Sequence, residues 1–191
     1  MINADNQRKP NTLRRPAFFF AFVVVVAAIS FTTFTQLRYR ARLAQELRSQ
    51  EWQQKSIDAV KKGNPTAWVM DSKVLPMLAN DSECKQIVTS LDFTSTEIDV
   101  SDATAVGRLT NVTSMMFYCT TGTEHVLKAA TDLPITDLYF EMPDLEAESY
   151  LMLKDFSNLK KVHFEHVMDS AWIERLKSEL PGVDINSPFA Q

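Results

Sequence analysis

Val88-Thr89-Ser90-Leu91-Asp92-Phe93 is the first of four short phrases that decide how this chain folds. The same pattern returns with Val112, Met115 and Phe117, with Ile135, Leu138 and Phe140, and with Leu159, Val162 and Phe164. Each phrase reads apolar-x-x-apolar-x-Phe, and the four phenylalanines recur about every 24 residues. A fixed period of roughly 20–30 residues is the mark of a solenoid. Side chains alternate between the two faces of a strand. If Leu91 and Phe93 point inward, Ser90, Asp92 and Thr94 point outward, and the same holds for every later phrase.

Working outward, the segments between phrases have helical spacing. Ala103, Val106 and Leu109 recur by threes, and Val126, Leu127 and Ala130 follow Thr123, Glu124 and His125. Tyr150, Leu151, Leu153 and Phe156 follow Glu146 and Glu148, and Trp172, Ile173, Leu176 and Leu180 follow Asp169 and Ser170. Each predicted helix opens near an acid, Ser or Thr, which satisfy free backbone N–H groups and the positive helix end. Each unit therefore reads strand, turn, helix, return. One unit cannot bury both its strand face and its helix face; stacked units can. The expectation is an α/β solenoid of about four strand–helix repeats of 23–24 residues, with each Phe packed on the next. Val183 falls 24 residues after Leu159, which predicts a truncated fifth strand at Val183–Ile185. Ahead of the repeats, Thr66–Met70 predicts a short strand, and Val74, Leu75 and Leu78 predict a turn or two of helix, together a cap outside the repeat register.

The front of the chain is different. Residues 1–15 are polar and basic and read as a disordered tail. Ala17–Thr35 is an uncharged run of 19 residues. A helix of that length just spans a hydrocarbon core of about 30 Å, so a transmembrane helix is expected over 16–36. A cleaved signal peptide is the competing reading, but Phe31 and Phe34 carry the run past Ala28 and Ser30 with no clean small-x-small site. Residues 37–64 predict a stalk helix ending at Gly63-Asn64-Pro65, with a thin apolar face at Leu43, Leu47, Ile57 and Val60. Four Lys/Arg precede the span and five follow it within about 20 residues, a near balance under the positive-inside rule. The short tail with its single acid tips the orientation toward a cytoplasmic N-terminus and repeats outside.

This layout resembles the short membrane-anchored leucine-rich repeat proteins of planctomycete-type bacteria. The resemblance rests on the LxxLxL-type cores beginning at Val88, Val112, Ile135 and Leu159, and on the basic tail, single span, charged helix and cap strand before them. Met168-Asp169-Ser170 stands where such proteins often read V-T-D. The consensus Asn after each strand is replaced by Thr96, Thr120, Pro143 and Val167, so the turn carbonyls need other partners. The resemblance implies a cap over 65–84, a repeat domain with a C-terminal cap over 85–186, and a tail at 187–191.

Charge and composition limit the function. Residues 1–64 carry 11 Lys/Arg against 4 Asp/Glu, and residues 65–191 carry 9 against 20. An acidic domain argues against nucleic acid as partner, since phosphate contacts need cations. Cys84 and Cys119 form no CxxC pair and read as structural thiols. No nucleophile elbow, HExxH, P-loop or GxGxxG occurs. In His163-Phe164-Glu165-His166 the histidines fall on opposite faces of a strand, which defeats chelation by both. No metal, cofactor, catalytic residue or small-molecule substrate is therefore expected. The outward positions Asp92, Met116, Tyr118, Tyr139, Glu141, His163 and Glu165 form the candidate partner-binding face, because aromatic and Met side chains suit protein contacts. The expected function is non-enzymatic: a single-pass membrane-anchored protein that binds an unknown protein through its solenoid face. The alternatives are a self-associating envelope component and, remotely, a hydrolase using His163, Glu165 and Glu141.

Overall fold

The computed structural model describes residues 14–165 and 168–187, with side chains from residue 34 onward. The chain divides into two units, residues 1–47 and 48–191, and the division falls within helix α1 (Arg14–Lys61). In the first unit Phe34, Leu37, Tyr39, Leu43 and Leu47 are exposed, and the Arg38 guanidinium lies 4.4 Å from the Phe34 ring centroid. Among the described residues no helix is long and apolar enough to cross a membrane. The span expected over 16–36 falls almost wholly on residues whose side chains lie outside that description.

In the second unit, six strands form one sheet in chain order: β1 (Thr66–Val69), β2 (Ser90–Thr94), β3 (Ser114–Tyr118), β4 (Asp137–Glu141), β5 (Lys161–Phe164) and β6 (Asp184–Asn186). Every neighbouring pair is parallel. Parallel neighbours need a crossover between them. These are supplied by α2 (Val74–Asn80) and α3 (Ser82–Ile87), then α4 (Val100–Ala103) with a 3-10 turn at Val106–Arg108. After β3 comes α5 (Thr123–Ala129), after β4 a 3-10 helix at Ala147–Asp155, and after β5 α6 (Ser170–Glu179). The helix expected around Tyr150–Phe156 is thus wound as 3-10, and the one around Ala103–Leu109 is split in two.

Register is one-to-one across the repeats, so Leu91, Met115, Leu138, Val162 and Ile185 form one buried row. Val69, Phe93, Phe117, Phe140 and Phe164 form the next, all fully buried. The Phe93 and Phe117 rings lie 5.0 Å apart and 4° from parallel. Phe117 and Phe140 are 5.4 Å apart, and Phe140 and Phe164 5.6 Å. Parallel rings at these centroid distances are offset, the arrangement their quadrupoles favour. Tyr150 meets Phe140 and Phe164 edge-on, and Trp172 meets Tyr150 and Phe164 the same way. The helices therefore close on the Phe side of the sheet. Tyr150 is 1 % exposed, and its hydroxyl has no hydrogen-bond partner among the described residues.

The turns leaving the strands repeat as well. Ser95, Cys119 and Met142 each stand two residues after a core Phe and each have φ 48°. Thr96 follows at 3 % exposure and its hydroxyl donates to the Val69 carbonyl; Thr120, at 1 %, sits 3.1 Å from the Phe93 carbonyl. Each hydroxyl thus serves a carbonyl of the preceding strand. Pro143 can do nothing of the kind, and Val167 lies outside the described residues. In the third unit the Asp144 carboxylate makes a different contact: it accepts from the N–H groups of Gly122 and Thr123 at 2.6 and 3.1 Å, capping α5 from the neighbouring repeat. Gly122 has φ +78°, and a Cβ there would lie 2.3 Å from the Ile98 carbonyl oxygen.

At the β1 end the last turns of α1 bury Ser56, Ile57 and Val60. Asp71 accepts hydrogen bonds from Ser49 and Gln53, which fastens α1 to the turn after β1. Lys61 pairs with Asp81 at 2.6 Å, and Asp81 also caps α3 through the Glu83 and Cys84 N–H groups. The hydrogen bond from Lys61, with the backbone N–H of Cys84, lowers the Asp81 pKa to about 2.

Three outcomes follow, each readable by denaturation of the full chain in mild detergent. Phe117→Ala removes the centre of the stack and should cost about 3–5 kcal/mol; a loss under about 1 kcal/mol would mean the rings do not organise the core. Gly122→Ala should cost well over 1 kcal/mol, and clearly more than Gly63→Ala, which has positive φ but open space around it. Asp81 is held ionised below its unfolded pKa, so its contribution is full above about pH 4 and lost as pH falls toward about 2. Asp81→Asn should flatten the stability curve in that window, and an unchanged slope would show the pair to be idle.

Candidate functional site

The strand period of two sends every second side chain to the face opposite the helices. Three rows result. Thr66, Ser90, Ser114, Asp137, Lys161 and Asp184 are in register along one end of the strands. Trp68, Asp92, Met116, Tyr139, His163 and Asn186 run through the middle. Thr94, Tyr118 and Glu141 form the third, with Glu165 just beyond β5.

All seven residues picked out from the sequence lie on this face or at its margin. Asp92, Tyr139, Glu141 and His163 are half-buried, while Met116, Tyr118 and Glu165 are exposed. The Tyr139 and His163 rings are 5.6 Å apart and tilted by 44°. His163 Nε2 lies 2.8 Å from Glu165 Oε1, and the Thr94 hydroxyl donates to Asp92 Oδ1 at 2.9 Å. His166 lies outside the described residues, so its place relative to His163 is not part of the site.

Trp68 is the residue that sequence reasoning missed. It is 43 % exposed and lies directly opposite Asp92 in the middle row. Met70, just past β1, is 42 % exposed. The signal was present: Ala67 and Val69 flank Trp68 in strict alternation, and Val69 stands 24 residues before Phe93. Treating β1 as a cap outside the register hid it. In the structure β1 is the first member of the same ladder, with Val in place of Phe.

His163 and Glu165 pair in water-accessible positions, and among the described residues no nucleophile lies at hydrogen-bond distance from the His163 ring. Among the described residues no group of three His, Cys, Asp or Glu is placed to hold a metal ion. A cleft of about 220 Å³ lies between the 3-10 helix and the turn after α6, lined by Leu153, Phe156, Leu180 and Val183 among others, and shares no residue with the face. Compared with models of known protein families and with curated proteins, the chain matches none.

Proposed function

We propose that this chain is a short membrane-anchored leucine-rich repeat protein that binds another protein through the open face of its sheet and catalyses no reaction. The observation that carries the reading is the row of large side chains left uncovered there. Trp68 and Met116 stand in the middle row on either side of Asp92 and are 43 and 40 % exposed, and Tyr118, on the same strand as Met116, is 37 % exposed. Isolated exposed apolar residues are ordinary, whereas a contiguous group rimmed by polar ones marks a contact surface. Aromatic and Met side chains are the types enriched at the centre of protein interfaces. The leucine-rich repeat assignment is supported by the in-register parallel strands, the Phe stack and the recurrent φ 48° turns. The anchor is supported by the uncharged run Ala17–Thr35.

A photo-crosslinking amino acid placed at Met116 in the full chain, in intact cells, tests the binding face. The expected result is a discrete protein adduct from position 116 and none from Lys128, which is exposed on α5. Equal labelling from both positions, or none from 116, would remove the binding role.

A further inference from the structure

Five acids stand on the open face of the sheet or at its margin: Asp92, Asp137, Glu141, Glu165 and Asp184. Ion pairs on the helix side join Lys61 to Asp81, Lys128 to Glu124, Arg175 to Glu148 and Lys177 to Glu174. On the open face Asp92, Asp137, Glu141 and Asp184 have no Lys or Arg within ion-pair distance among the described residues. Glu165 pairs only with His163. The one Lys among the three rows, Lys161, stands in register between Asp137 and Asp184. These acids interleave with Trp68, Met116, Tyr118 and Tyr139, rather than standing apart from them.

We infer that the partner is a basic amphipathic segment, Arg-rich with Leu- or Met-type anchors, lying across the strands along the row Trp68–Asp92–Met116–Tyr139–His163. This rests on the protein-binding reading above and names the chemistry of that partner. Neighbouring strands lie about 4.8 Å apart, so the five positions span about 19 Å. Successive turns of a helix rise about 5.4 Å, so side chains at i, i+4 and i+7 meet successive strands, and some 13 residues cover the row. An Arg between anchors then reaches Asp92 or Glu141 while its planar guanidinium lies on Trp68, Tyr118 or Tyr139, a pairing that Lys makes less well. A wholly apolar partner would leave the same acids desolvated and unpaired, which is unfavourable.

The test is titration of the full chain, in mild non-ionic detergent, with a fluorescent synthetic helix of about 14 residues built from Leu, Ala and Arg. A second helix with every Arg replaced by Glu is the comparison. The Arg helix should bind, with affinity falling several-fold as salt rises from about 50 to 300 mM. The double variant Asp92→Asn, Glu141→Gln should weaken it tenfold or more, and Glu174→Gln on α6 should not. Both carboxylate changes are isosteric, and circular dichroism checks that the fold persists. If both helices bind alike and Met116→Ala abolishes both, the face is a docking surface but its partner is not basic, and the inference fails alone. Failure of the Arg helix to bind overturns the inference too. Binding indifferent to the Asp92/Glu141 pair and to Met116→Ala overturns both it and the reading beneath it.

Discussion

The constraint on which the rest depends is the one-to-one parallel register that puts Phe93, Phe117, Phe140 and Phe164 in one buried file. A slip of one residue in any pair would turn a Phe to solvent and bring a Ser, Asp or Tyr into the core. The offset rings add about 0.5–1.5 kcal/mol per pair beyond simple burial, so the correct register is favoured at each step. Because each step repeats the last, the crossovers all return to the same side, and the opposite face stays open.

The core file also explains where the repeats differ. After β2 and β3 a buried Thr hydroxyl serves a carbonyl of the preceding strand. Pro143 stands at that position after β4 and cannot. There the chain moves a tyrosine inward: Tyr150 fills the space between Phe140 and Phe164, and the connection winds as a 3-10 helix. Its hydroxyl is held strongly protonated, chiefly by burial. The third repeat thus adds edge-on aromatic packing to the Phe stack and has no hydroxyl at that position, and the Asp144 carboxylate ties it back to α5.

Position on the sheet gives the open face its chemistry. Trp68, Asp92, Met116, Tyr139 and His163 are far apart in the chain, yet the register sets them on adjacent strands. The face combines exposed apolar side chains with acids that, among the described residues, have no Lys or Arg in an ion pair. Of its aromatic side chains, Tyr139 is packed against the His163 ring.

Much of this was legible in the sequence because it is local or periodic. Apolar-x-x-apolar-x-Phe at a 24-residue spacing names the strands, their buried faces and their order, since alternation and period are properties of the chain itself. The seven outward residues followed from the same alternation. What the sequence did not yield depends on atoms brought together from afar. That Val69 occupies the Phe position and carries Trp68 onto the face needed the β1–β2 register. That Asp144 caps a helix some 20 residues earlier, and that the Thr96 and Thr120 hydroxyls meet the Val69 and Phe93 carbonyls, needed the packed turns. The sequence by itself determined the repeating α/β units and which residues they bury, because hydrophobic period is written along one strand at a time. Only the tertiary structure decided which side chains share the open face and which acids there lack a cation, because both depend on neighbours supplied by other repeats.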